Sequence, residues 1–279
     1  VGGLVSMWAG KSTTLAGGLV SIAGGVSTER TGGGVSVASG EGTATSSGVV
    51  TIRSANSGAS GVSGSLVFSS GTALKGNSGN LMIGTGAATD GRGGLVSISA
   101  GSGTSGAGGL VSILSGRSTV HTGGALSITS GEGTGTSSGV VTIRSANSGA
   151  SGVSGSLVFS SGTSLKGNSG NIMIGTGAAT TGRGGLVAIS AGSGTSAVGG
   201  LVSMWAGKST TLAGGLVSIA GGVSTERTGG GVSVASGEGT ATSSGVVTIR
   251  AANSGASGAS GARGFSSGTS PKGHSGNLM

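Results

Sequence analysis

Gly93-Gly94-Leu95-Val96-Ser97-Ile98-Ser99-Ala100-Gly101 is the unit from which this chain is written. Val96 and Ile98 alternate with serines, and a period of two places both side chains on one side of an extended segment. β-Branched residues at such positions suit a strand. The leading glycine returns at Gly3, Gly18, Gly33 and Gly48, a spacing of fifteen, then steps by sixteen to Gly64. It resumes the shorter spacing at Gly79, Gly94, Gly109, Gly124 and Gly139. Short blocks of fixed length are the mark of a chain wound into stacked coils.

With each block numbered from its leading glycine, position 3 reads Val5, Val20, Val35, Val50, Leu66, Leu81, Val96 and onward in kind. Position 5 reads Met7, Ile22, Val37, Ile52, Phe68, Ile83, Ile98. Position 7 is small, as at Ala9, Ser39, Ser70, Thr85 and Ala100. Position 11 is mostly Thr (Thr13, Thr28, Thr43, Thr89, Thr104), which reads as the inward residue of a second, thinner strand. The glycines at positions 1 and 8 would then sit at corners, where positive φ or close backbone approach is needed. The expected fold is all-β, a parallel β-solenoid of stacked coils, each fifteen or sixteen long. At about 4.8 Å per rung, about 18 coils make a rod roughly 85 Å long. The array is expected to run over residues 1–260, with 261–279 a degenerate terminal coil.

The longer coils opening at Gly48, Gly139 and Gly245 share Ala-Asn-Ser-Gly, so the extra residue is expected to bulge beside Asn56, Asn147 and Asn253. Asn is the non-glycine residue that best tolerates the left-handed region. Above the coil lies a longer repeat. Residues 48–105 return at 139–196 with few changes, and residues 1–58 return at 198–255 with one, Ser54 against Ala251. The coils thus fall into super-repeats of six or seven. Charges keep the same frame: Arg53, Arg144 and Arg250 fall at position 6, Lys11, Glu41 and Arg117 at position 9, Glu29, Lys75 and Asp90 at position 12. None occupies position 3 or 5 before Arg263, which is followed by Pro271. This is the pattern of a dry interior.

Composition excludes several classes. There is no Cys, so neither disulfides nor thiolate metal sites arise. Gly numbers 69 of 279 residues but Pro only 1, which excludes collagen. Charged residues are 7%, too few for the composition of high-charge disorder. A flexible Gly/Ser linker has no reason to hold Val and Ile in phase. No stretch approaches the roughly 20 apolar residues of a membrane helix, and no charged-then-apolar leader opens the sequence. The sequence reads as a processed protein or a piece of a longer array.

Candidate chemistry is thin. Residues 101–106 match GxGxxG, but the related coil carries Ala197 and no helix-forming segment follows. Ala9-Gly10-Lys11-Ser12-Thr13 lacks the earlier glycine of a phosphate loop, because Val5 stands there. One Asp, five Glu and two His, His121 and His274, are dispersed, so the reading is of no enzyme, no catalytic or metal residues and no cofactor. The net charge of +8 comes from scattered Arg and Lys without aromatic interleaving, which allows weak polyanion contact but not specific nucleic-acid binding.

The outward positions carry more. Leu4, Leu19, Val49, Val67, Met82, Leu95, Leu110, Leu186, Leu201 and Leu216 put one apolar residue per coil on the outside, with Trp8 and Trp205 at its rim. A contiguous apolar patch marks an interaction surface, so this ridge is the candidate for lateral packing. No regular Thr or Ala array of an ice-binding kind is present.

On these blocks the chain resembles the glycine-rich β-solenoid repeat proteins, among them long Gly/Ser/Thr repeat segments of predicted algal cell-surface proteins. The resemblance covers essentially the whole chain and implies an extracellular or cell-surface structural role. The expected function is a structural protein that self-associates end to end, laterally or both, into filaments, since neither end shows a helical or charged cap. The alternative is a rod that does not polymerise and displays an adhesive, ice- or glycan-contacting surface.

Overall fold

The computed structural model describes residues 3–271 and 273–278. Among them there is no helix and no strand; the chain consists of extended arms joined by bends. It divides into two units, Val1–Val141 and Thr142–Met279, and the division falls inside the coil that opens at Gly139. The period read from the sequence is real and governs both. Each block supplies an arm, positions 1–8, and a loop whose bend falls at positions 11–13, as at residues 13–15, 28–30 and 43–45.

The expected β-solenoid is not what forms, and one set of hydrogen bonds shows why. In a solenoid each leading glycine would pair one rung above its predecessor, Gly18 above Gly3 and Gly33 above Gly18. Instead the N–H of Gly18 donates to the carbonyl of Gly10 at 2.8 Å, and the N–H of Gly33 to that of Gly25 at 2.8 Å. The same bond closes Gly109 on Gly101 and Gly200 on Gly192 at 2.9 and 2.8 Å. In these blocks the chain therefore closes a short loop at a neck, between position 8 of one block and position 1 of the next; before Gly94 and Gly185 the contact is made instead by the Thr85 and Thr176 hydroxyls, which donate to the carbonyls of those glycines at 3.3 and 3.2 Å. An arm starts beside the end of the arm before it and not above that arm's start, so no ladder of rungs is built. The stacked rod and its dry interior fall with the ladder.

Steric requirements at the neck explain the glycine at position 1. A Cβ on Gly18 would lie 2.9 Å from the Gly10 nitrogen, and one on Gly94 would lie 2.8 Å from the Thr85 Cβ. Real Cβ atoms do not approach so closely. Position 7 is small for the same reason, since it faces the incoming glycine. Position 8 differs: a Cβ on Gly10, Gly25 or Gly40 would meet nothing within 4 Å. No described residue has a positive φ, glycine or otherwise. At position 1 glycine is thus needed for close approach and not for a left-handed corner.

Two kinds of loop closure recur. Where position 10 is Ser, its hydroxyl accepts the N–H three residues on: Ser12 from Leu15 at 2.8 Å, Ser27 from Arg30 at 2.9 Å, Ser118 from His121 at 2.9 Å. This is the local side-chain-to-backbone bond that makes Ser a turn residue. Where position 10 is Gly, as at Gly42, the loop folds so tightly that a Cβ would fall on the Ser46 carbonyl. Thr at position 11 lies in the bend itself, which replaces the second strand expected there. In the longer coils the extra residue sits in a turn where the Gly61 N–H donates to the Gly58 carbonyl at 3.3 Å, and likewise Gly152 to Gly149. The expected left-handed bulge beside Asn56, Asn147 and Asn253 is absent.

No described residue is buried. The least exposed are the small residues of necks and loops, such as Ser12, Gly24, Gly42, Ser54 and Ser118, and not the apolar ones. The surface is 27439 Å². For 25.2 kDa, size scaling gives roughly 10,000 Å² for a compact fold and roughly 37,000 Å² for an extended chain. About three quarters of the extended surface therefore stays open to solvent.

Candidate interaction surface

Alternation along each arm survives the loss of the stack. Position 3 is half-shielded, 47–58% exposed from Val20 to Val247, whereas the ridge residues Leu4, Leu19, Val49, Val67, Met82, Leu95, Leu110, Leu186, Leu201 and Leu216 are 77–91% exposed. Position 5, expected inside, is 54–77% exposed. Side chains this open do not pack on one another, so the ridge exists arm by arm and not as one continuous strip. Trp8 and Trp205 stand open in the same arms.

Polar and apolar character separates along the sequence and the structure keeps it separate. Apart from Arg53, Arg144, Arg250 and Arg263, every charged side chain among the described residues falls at positions 9–14, on the loops. The arms carry Leu, Val, Ile, Met and Phe; the loops carry Lys, Arg, Glu, Ser and Thr. Each block is amphipathic in a simple way, with an apolar arm bounded by hydrated loops. Among the described residues the arms also lack pairing partners: the backbone bonds lie at necks and turns, and no ladder occupies the arm N–H and C=O groups.

One local concavity breaks the evenness. Phe159, Ile172, Met173 and Ile174 line an open apolar notch of about 380 Å³. The sequence frame placed Phe159, Ile172 and Ile174 inward and Met173 outward, so it did not anticipate that the four would share a surface. A signal existed: Phe at position 5 occurs only in arms that follow one of the longer coils, and Met82 and Met173 each follow such an arm by one block.

Among the described residues no three His, Asp or Glu gather closely enough to hold a metal. His121 sits at the end of a bend, its N–H bonded to Ser118. The GxGxxG stretch, residues 101–106, spans a neck and a loop bend and leads into no helix. Among the described residues no helix is long and apolar enough to cross a membrane. What the arrangement offers chemically is therefore contact: apolar arm surface and backbone groups in need of partners. No protein-family model matches the chain, and neither curated proteins nor solved structures yielded a match.

Proposed function

We propose that this is a structural repeat protein whose arms associate with the arms of other copies to build an extracellular or cell-surface filament or matrix. The observation that carries this reading is the unburied apolar surface. Every large hydrophobic residue of the arms is exposed, at a mean hydropathy of +0.32. Apolar surface in water is costly at about 25 cal/mol per Å². A stable interface needs only about 1,200–2,000 Å² in total, a small part of what the arms leave open. Short segments with β-branched residues, little charge and almost no Pro are the kind that pair between chains through their backbones. The loops, which hold nearly all the charge, would remain hydrated between contacts.

Electron microscopy and sedimentation across a dilution series test the reading. Filaments or large assemblies above a threshold concentration, with extended-backbone circular dichroism that rises on assembly, are the expected result. A chain that stays monomeric at all concentrations and binds a solid or sugar surface would replace this reading with that of a displayed adhesive surface.

A further inference from the structure

We propose that the arm at residues 261–268 is an insulating arm, which stays out of the contacts that the other arms make with second copies of the chain. The inference rests on the self-association reading above and says where that association stops. Its sequence, Gly261-Ala262-Arg263-Gly264-Phe265-Ser266-Ser267-Gly268, corresponds to Gly-Ser-Leu-Val-Phe-Ser-Ser-Gly at 64–71 and 155–162. Phe is retained at position 5. Leu66 and Leu157 become Arg263, and the exposed Val67 and Val158 become Gly264.

The replacement does more than add charge. Arg263 Nη1 donates to the carbonyl of Ile249 at 3.3 Å, 14 residues back in the preceding arm. Ile249 stands at position 5 of that arm, and its counterparts Ile52 and Ile143 precede Leu66 and Leu157. Leucine has no donor to offer those carbonyls, so they remain free to accept from another chain. In the arm pair that contains Arg263, the acceptor is taken from within. Gly264 removes the apolar side chain that would cover a partner arm. The guanidinium adds a cation that would meet its own copy in any like-to-like contact, within a chain already at +8, and opposed like charges are destabilising. Backbone acceptor, apolar cover and charge all change in the same direction at one arm. Edge-protecting devices in sheet proteins likewise place charged side chains where a second chain would pair.

Hydrogen exchange read by mass spectrometry, on the full chain dilute and assembled, tests the proposal. In assembled material, amides of 64–71 and 155–162 are expected to slow at least about tenfold relative to the dilute chain, while those of 261–268 stay within about twofold. The double variant Arg263→Leu with Gly264→Val restores the sister sequence, and its 261–268 amides are expected to slow as the sister arms do. Equal protection of 261–268 in the parent assembly would overturn the insulating arm and leave self-association standing. So would a double variant whose assembled form still exchanges freely there. If no assembly forms at any concentration, the functional reading falls and the insulating arm with it.

Discussion

Residues 3–58 and 200–255 carry the same sequence but for Ser54 against Ala251, and the structure builds their bends at the same places. The neck bonds of Gly18, Gly33 and Gly48 measure 2.8, 2.8 and 3.0 Å; those of Gly215, Gly230 and Gly245 measure 2.9, 2.8 and 3.0 Å. The hydroxyls of Ser12 and Ser209 hold their loops at 2.8 and 2.9 Å. One residue breaks the identity. Val5 is 89% exposed and Val202 is 50%. Met7 and Met204, two residues on, hardly differ. The loop closed between Gly192 and Gly200 stands immediately before Val202, whereas Gly3 is the first described residue of the arm that contains Val5. Position 3 is half-shielded alike after a bonded neck, as at Val20 with 49%, and after a block without that bond, as at Val96 with 47%. Local geometry here is written locally, and shelter for apolar side chains is borrowed from the neighbouring block.

The largest effect should come from removing what both regions leave exposed. Replacing Leu4, Leu19, Leu201 and Leu216 together by Asp is expected to raise the concentration needed for assembly by at least an order of magnitude. Burying one such side chain contributes about 1.5–3 kcal/mol, and light scattering across a dilution series would read the change. An unchanged threshold would show that association does not use the ridge.

Smaller changes probe the loops, and each should act equally in the two copies. Gly42→Ala and Gly239→Ala force a Cβ onto the carbonyls of Ser46 and Ser243. Amide exchange at Gly48 and Gly245 should quicken by about tenfold, the loss of one bond of about 0.5–1.5 kcal/mol. Ser12→Ala and Ser209→Ala remove the acceptors of Leu15 and Leu212 and should quicken those amides by about twofold to tenfold on the same scale. Unequal responses in the paired variants would mean that the copies are less alike than their bond lengths say. Ser54→Ala, which completes the identity, should change stability by less than about 0.5 kcal/mol. A Cβ placed on Gly64 or Gly261 would stand at ordinary contact distance from the Ser54 or Ala251 Cβ, 3.6 and 3.7 Å.

Much of the local structure is legible in the sequence because glycine position encodes it. The recurring Gly at position 1 marks the neck, the small residue at position 7 marks what faces it, and alternation at positions 2 and 3 ranks their exposure. What the sequence does not reveal is which parts of a periodic chain come together. The same period is written equally by a coil that stacks on the next and by an arm followed by a loop closed on itself. Both need Gly at position 1, and only the bond from Gly18 to Gly10 tells them apart. Thr13 and Thr28 read as inward because Thr suits strands, yet Ser12 and Ser27 just before them accept the backbone N–H groups that make a bend. Asn56 drew attention from the turn that follows it, where two glycines, Gly58 and Gly61, accommodate the extra residue. The resemblance to β-solenoid repeat proteins shares this limit, since it rests on the same periodic blocks.

The neck has a mechanical corollary. A loop closed from position 8 to the next position 1, such as Gly10 to Gly18, folds eight peptide units behind one exposed hydrogen bond. Those units hold up to about 27 Å of contour, while the latch is worth only about 0.5–1.5 kcal/mol. A chain under tension would give up this slack loop by loop at low force and take it back when the load is removed, with every arm left free to keep its grip. Compliance would then reside in the loops and cohesion in the arms, a division of labour repeated wherever a neck bond closes the loop.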